Sequence, residues 1–187
     1  MEEACQQAKR WEEAHPSAPP TRMEVNLSSR QLARRGLART IGEALTRSNL
    51  EAHRLALDIT ETILIKASEE NAQALEALKK MGIRLHLDDF GTGYSSLSYL
   101  RRFPVDRVKV DRLFVKGLGE NATDTALVRM IIDLCHTLGI EVLAEGVETS
   151  EQAALLRNMG CDLGQGHYFA LPLLGEELAE LPKTFLP

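Results

Sequence analysis

Cysteine is scarce in this chain: Cys5, Cys135 and Cys161 are the only three among 187 residues, and no pair has Cys-x-x-Cys spacing. An odd set without that spacing supports neither a disulfide framework nor a zinc site, so the three are expected to be packing residues in a reducing compartment. Long apolar runs are missing too. None approaches the roughly 20 residues a membrane-spanning helix needs, so no membrane contact by this segment is expected. Met1-Glu2-Glu3 is acidic where a signal peptide would be basic, which makes the cytoplasm the expected location. No block of positive charge occurs either. The formal charge of −5 is spread along the chain, and nothing resembles a stripe for a nucleic-acid polymer.

What is present is ordinary in amount and informative in order. A hydrophobic content of 44% over 187 residues is enough for one domain with a sizeable core, taken as residues 1–187. From about residue 22, short runs rich in Val, Ile and Leu alternate with longer amphipathic stretches, the signature of an α/β fold. Strands are expected at Met23 to Leu27, Leu55 to Ile59, Ile83 to Leu87, Arg107 to Val110, Glu141 to Ala144 and, more weakly, Asp162 to Gln165. Helical periodicity fits Ala72, Leu75, Leu78 and Met81, and again Leu127, Met130, Ile131, Leu134 and Leu138. Three segments echo one another: Leu78-Lys-Lys-Met-Gly82, Cys135-His-Thr-Leu-Gly139 and Leu156-Arg-Asn-Met-Gly160. Each predicts a helix closed by glycine that hands the chain to the next strand. Thr149 with Gln152 predicts a capping box.

Every expected strand ends in a polar group: Asn26, Asp58 with Glu61, Asp88 with Asp89, Lys109 with Asp111, Glu145 with Glu148, and Gln165. In a parallel (β/α) barrel such ends share one face, where active sites lie, so these residues are expected to converge. An open doubly wound sheet is the competing architecture, and the predominance of carboxylates over a glycine-rich phosphate loop argues against it. Several carboxylates around one cavity repel each other unless a cation joins them. Mg²⁺ or Mn²⁺ takes oxygen ligands, and paired ions suit phosphoryl displacement. Asp88-Asp89 is the natural bridge, provided that leaving the strand at Phe90-Gly91-Thr92-Gly93 lets both side chains reach the basin. Lys109 is placed to hold a water in line and offset phosphoryl charge.

Blander readings stand beside these. A lone aspartate after a strand, such as Asp58, is usually a turn or cap residue, and so is Glu148 taken singly. Lys109 is equally suited to pair with a neighbouring acid, and Gln165 to be a loop residue. Asn121-Ala122-Thr123 reads as helix-capping sequence. The histidines show no ligand spacing, and His86 reads as an ordinary barrel residue.

Taken together, Val25-Asn26-Leu27-Ser28, Asp58-Ile59-Thr60-Glu61, Leu87-Asp88-Asp89-Phe90-Gly91-Thr92-Gly93-Tyr94-Ser95-Ser96-Leu97, Val108-Lys109-Val110-Asp111, Ala144-Glu145-Gly146-Val147-Glu148 and Gly164-Gln165-Gly166 resemble, in order, the motifs of the EAL-domain cyclic di-GMP phosphodiesterases. The resemblance implies a TIM-like barrel with one antiparallel strand and two Mg²⁺ or Mn²⁺ ions, in which a metal-activated water opens cyclic di-GMP to linear pGpG. By motif position Asn26, Asp58, Asp88 and Asp89 would be metal ligands, and Glu145 a ligand or general base. Lys109 would position the water and Gln165 would lie near metal and substrate. Glu61 would steady the Asp-Phe-Gly-Thr-Gly loop, with Asp111 and Glu148 as supporting acids. The resemblance also implies a homodimer and a flanking sensory or cyclase domain.

The sequence departs from the family pattern in four places. The family's first strands and its Glu-Ala-Leu tripeptide would lie upstream of Met1, so activity of this chain alone is expected to be impaired. The alternative function is a degenerate module that binds cyclic di-GMP or a partner protein. Glu43-Ala44-Leu45 falls inside a predicted helix and reads as coincidence. Asp58 stands where the family usually has glutamate, which withdraws the carboxylate by about 1 to 1.5 Å in a site whose metal–oxygen distance is about 2.1 Å. His167 replaces a usual tyrosine, and Leu171 a usual basic residue.

Overall fold

The computed structural model describes residues 1–14, 22–65, 67–91, 100 and 102–173. Six strands are present: β1 Met23–Asn26, β2 Leu55–Thr60, β3 Arg84–Phe90, β4 Arg107–Val110, β5 Glu141–Glu145 and β6 Leu163–Gln165. They follow one another in the sheet in chain order. The pairs β1–β2, β4–β5 and β5–β6 are parallel. Each pair is joined through helix, as a parallel connection requires. Residues 55–59 of β2 are buried, in keeping with its largely apolar run, and β4 is buried throughout although it alternates charged and apolar residues as Arg107-Val-Lys-Val.

The repeated helix-to-strand unit has one physical basis in all three places. Helices α5 (Glu69–Lys80), α7 (Ala122–Thr137) and α8 (Ser150–Asn158) are each followed by a glycine of left-handed φ: Gly82 at 90°, Gly139 at 71° and Gly160 at 83°. The residue after each glycine then donates its N–H back into the last turn: Ile83 to Leu78 at 3.2 Å, Ile140 to Cys135 at 2.8 Å and Cys161 to Leu156 at 3.0 Å. That closure satisfies carbonyls that would otherwise be left over at the helix end. The expected N-caps also form: Thr149 and Gln152 make a reciprocal capping box, and Asn121 accepts from the N–H groups of Thr123 and Asp124. Glu43-Ala44-Leu45 lies within helix α3, Leu37–Ser48, as read from the sequence.

Two expectations need correction. Strand β3 continues to Phe90, three residues beyond the Leu87 boundary, so Asp88 and Asp89 belong to the strand. In α7 the buried stripe is Val128, Ile131, Ile132 and Cys135, while Met130 is exposed at 56%. The helix carries two apolar ladders side by side, and periodicity alone does not choose between ladders one residue apart. Packing does.

The chain forms two compact units, Met1–Leu87 with Ser95–Asp106, and Asp88–Tyr94 with Arg107–Pro187. In the first, Leu55, Leu57, Leu75, Leu78, Ile83 and Leu85 are buried. Helix α1, Glu2–Ala14, buries Cys5 and Ala8. In the second, Val108, Val110, Val128, Ile132, Val142 and Ala144 are buried.

Asp106 ties the first unit together. Lys79 donates to both its oxygens at 2.6 Å, Arg84 at 2.9 Å and the Leu85 N–H at 2.8 Å. Burial opposes its ionisation, yet Lys79, the Leu85 N–H and Arg84 outweigh burial and hold the carboxyl below its ordinary value. With the folded pKa below the unfolded one, the unfolded chain binds more protons as pH falls. Asp106 therefore stabilises fully above about pH 3.9, and that stability drains away as pH drops through the lower folded value. Asp106→Ala is expected to cost about 2 to 3 kcal/mol at neutral pH, measured by urea unfolding. Its deficit relative to the unsubstituted chain should shrink on acidification below about pH 3.9; a constant deficit would show that packing, not charge, is responsible.

Candidate functional site

In the first unit, the parallel register sets Asn26 of β1 beside Asp58 of β2. The main chain continues this pairing, since the Leu27 N–H donates to the Asp58 carbonyl at 2.8 Å. The Asp58 side chain is 7% exposed. It faces His86 of β3, whose Nδ1 lies 3.4 Å from Asp58 Oδ1 and 3.4 Å from Glu24 Oε1. His86, expected as an ordinary barrel residue, is completely buried between two carboxylates. One ligand atom from each of Glu24, Asp58 and His86 falls within 4.8 Å of the others. The sequence reading did not single out Glu24. A signal was available: Glu24 is two residues before Asn26 in a strand, and side chains at that spacing share a face.

Glu61 opens helix α4, Glu61–Ile65, directly after β2. It is 5% exposed, and neither carboxylate oxygen has a hydrogen-bond partner among the described residues. Thr92 and Gly93, in the loop that Glu61 is expected to steady, lie outside the described residues.

The second unit holds the lysine. Lys109 on β4 is 6% exposed, and its Nζ lies 3.2 Å from Glu145 on β5 and 3.9 Å from Asp88 at the end of β3. A buried ammonium is costly alone, and two acids offset that cost here. Asp89 has a left-handed φ of 55° and donates its N–H to the Asp88 carboxylate at 3.1 Å. Aspartate tolerates that conformation better than most residues, and the departure from extended geometry breaks the strict alternation of the strand.

The register between β5 and β6 sets Glu145 beside Gln165. Gln165 and Glu148 are exposed, and the Gln165 carbonyl accepts from Val147 N–H at 2.9 Å. Asp111 caps helix α6, Arg112–Lys116, by accepting the Leu113 N–H at 2.7 Å. His167 and Leu171 are both exposed.

The thiols take no part in such a site. Burial above all pushes Cys135 up to about 12 and Cys161 up to about 11, so both stay protonated and poorly nucleophilic at neutral pH. No helix among the described residues is long and apolar enough to cross a membrane.

A family model described as EAL domain matches residues 1–172. Over 178 residues the chain is 38% identical to the bifunctional diguanylate cyclase/cyclic di-GMP phosphodiesterase MucR of Pseudomonas aeruginosa, covering 95% of this chain and 26% of that protein. The structure of the MucR phosphodiesterase in complex with c-di-GMP superposes with a TM-score of 0.88 over 95% of this chain and 71% of that one. The EAL domain of Mycobacterium smegmatis DcpA, 35% identical, gives a TM-score of 0.89 over 96% of this chain and 80% of that one. Klebsiella pneumoniae BlrP1, solved with manganese and cyclic di-GMP, is 32% identical, with a TM-score of 0.82 over 93% of this chain and 44% of that one. The chain thus spans about a quarter of the length of the curated relatives it matches.

Proposed function

This chain belongs to the EAL-domain family, and on that premise we propose that it carries the hydrolytic part of a cyclic di-GMP phosphodiesterase that releases linear pGpG. The observation that carries the reading is Lys109, buried with its ammonium against both Glu145 and Asp88. Such a cation is held in advance where negative phosphoryl charge grows, with little reorganisation left to do during the reaction.

The donor set fits hard divalent ions. Asn26 and Asp58 in the first unit, and Asp88, Asp89 and Glu145 in the second, offer only oxygens suited to Mg²⁺ or Mn²⁺. These residues would hold such an ion, which when bound would supply a lowered pKa for water and charge neutralisation for phosphoryl oxygens. The chain's own groups do the rest. Lys109 orients the attacking water and offsets charge on the phosphoryl oxygens, and Glu145 accepts a proton from that water. Gln165, exposed at the end of β6, contacts the substrate. Glu61, Asp111 and Glu148 support the elements that carry these groups; the buried carboxylate of Glu61 and the cap made by Asp111 are the observations that favour this. Water adds across one phosphodiester, breaking a P–O bond and leaving one phosphate at the end of the linear product.

We carry two further readings as part of the same proposal. One is a homodimer. The other is a flanking sensory or cyclase domain in the longer protein, which the bifunctional name of MucR favours.

Incubating the chain with cyclic di-GMP and Mn²⁺, with the products separated by chromatography, should release pGpG at the impaired rate expected of this chain alone. Calorimetry with Ca²⁺ in place of Mn²⁺ separates the alternative: nucleotide binding without turnover in Mn²⁺ supports a binding module, and neither binding nor turnover leaves the proposal without support.

A further inference from the structure

We infer that Glu24, Asp58 and His86, all within the first unit, form a site for one transition-metal ion of the Zn²⁺ or Co²⁺ type. The inference does not depend on the phosphodiesterase reading, although both use Asp58.

The geometry is the first argument. His86 Nδ1 is 3.4 Å from Glu24 Oε1 and 3.4 Å from Asp58 Oδ1. An ion about 2.0 to 2.1 Å from nitrogen and oxygen ligands in a tetrahedral array sets those ligands about 3.3 to 3.4 Å apart. Hydrogen bonding suits the same distances less well, because N–H···O contacts usually fall between about 2.7 and 3.2 Å. Moreover, one imidazole nitrogen has at most one proton to give, and here it faces two carboxylates. With one ligand atom from each residue within 4.8 Å of the others, a single cation could reach all three.

Charge and burial give the second argument. Asp58 is 7% exposed and His86 is wholly buried. A bound cation would offset the charge of two carboxylates brought together at such a site. As a ligand, His86 would offer Nδ1 of the neutral imidazole, with the ring proton on Nε2. The Glu24 side chain, 26% exposed, provides the way in from solvent.

Chemistry selects the metal. Imidazole nitrogen suits Zn²⁺, Co²⁺ and similar ions, whereas Mg²⁺ and Ca²⁺ prefer oxygen alone. Three protein ligands and a water complete a four-coordinate shell. Since Glu24 is on β1, Asp58 on β2 and His86 on β3, the ion would also tie three strands of the first unit, and stability should rise with metal concentration.

Titration of the chain with Co²⁺ tests this, read by the intense visible absorption of four-coordinate cobalt and by pulsed electron paramagnetic resonance for an imidazole nitrogen bound to the metal. One equivalent should bind with that band and nitrogen coupling. Glu24→Gln, at the accessible side of the cluster, and His86→Gln should each weaken binding at least tenfold. Lys109→Met should leave the band in place. Should His86→Gln fail to fold, Glu24→Gln and the nitrogen coupling of the unsubstituted chain still decide the matter. A band unaltered by Glu24→Gln would assign the ion to another histidine, such as His136 beside Asp162, and overturn the inference; so would the lack of nitrogen coupling. None of these readouts involves nucleotide, so a failed hydrolysis assay leaves this result standing, and the reverse holds too.

Discussion

Lys109→Met is expected to lower pGpG release by about 100- to 1000-fold relative to the unsubstituted chain under the same Mn²⁺ concentration, the range typical for removing one pre-positioned donor from developing negative charge. Methionine keeps much of the apolar volume of the lysine stem and removes only the ammonium, so the change tests charge rather than packing. The same substitution should move metal affinity the other way. The ammonium lies 3.2 Å from Glu145 and 3.9 Å from Asp88, where it competes with any divalent ion for those carboxylates. Its removal should tighten Mn²⁺ binding severalfold, because the ammonium no longer competes with the metal for those carboxylates. Opposite signs in the two measurements distinguish a catalytic lysine from a merely structural one. Equal loss of both would mean that Lys109 simply holds β4 and β5 in place.

Gly166→Ala should be the most damaging single change in the second unit. A Cβ at Gly166 would lie 2.8 Å from the carbonyl carbon of Val147 and closer still to its oxygen and nitrogen. All three are backbone atoms and have no rotamer by which to retreat. Nor is Val147 free to shift: its N–H donates to the Gln165 carbonyl at 2.9 Å, and its own carbonyl accepts from Tyr168 N–H at 3.0 Å. A loss of about 3 kcal/mol or more is expected, in the upper part of the range for point substitutions, as a lowered urea midpoint. Gly139→Ala is the control. Gly139 has a φ of 71° but no neighbour within 4 Å of a Cβ, so only the left-handed conformation is penalised, at about 1 kcal/mol. Similar costs at both positions would show that the close approach at Gly166 is relieved by movement elsewhere.

The two glycines differ in how visible their roles were. Gly139 belongs to a thrice-repeated Leu-x-x-x-Gly-type junction and was legible as a helix stop, because closure of a helix is a local event within six residues. Gly166 was visible only as part of Gly-Gln-Gly; its need to be glycine arises from Val147, on a different segment. The α7 helix gives a similar contrast. Its extent followed from its caps, Asn121 and Gly139, but its buried face did not follow from periodicity, since two apolar ladders compete and the partner surface selects Val128, Ile131, Ile132 and Cys135. Asp111 shows one residue in a role the sequence offered only generically: it caps α6.

By itself, then, the sequence determined the alternation of strands and helices, their closures and caps, and the series of polar residues at strand ends, all of which rest on interactions within a few residues or on a side-chain period. Only the tertiary structure decided that Lys109 sits between Glu145 and Asp88, and that His86 faces both Glu24 and Asp58. Those meetings depend on strand register and neighbour order, and a carboxylate has no way to signal along the chain which distant cation it will face. Register is set by the summed packing of whole strands, so it emerges only when the chain has folded.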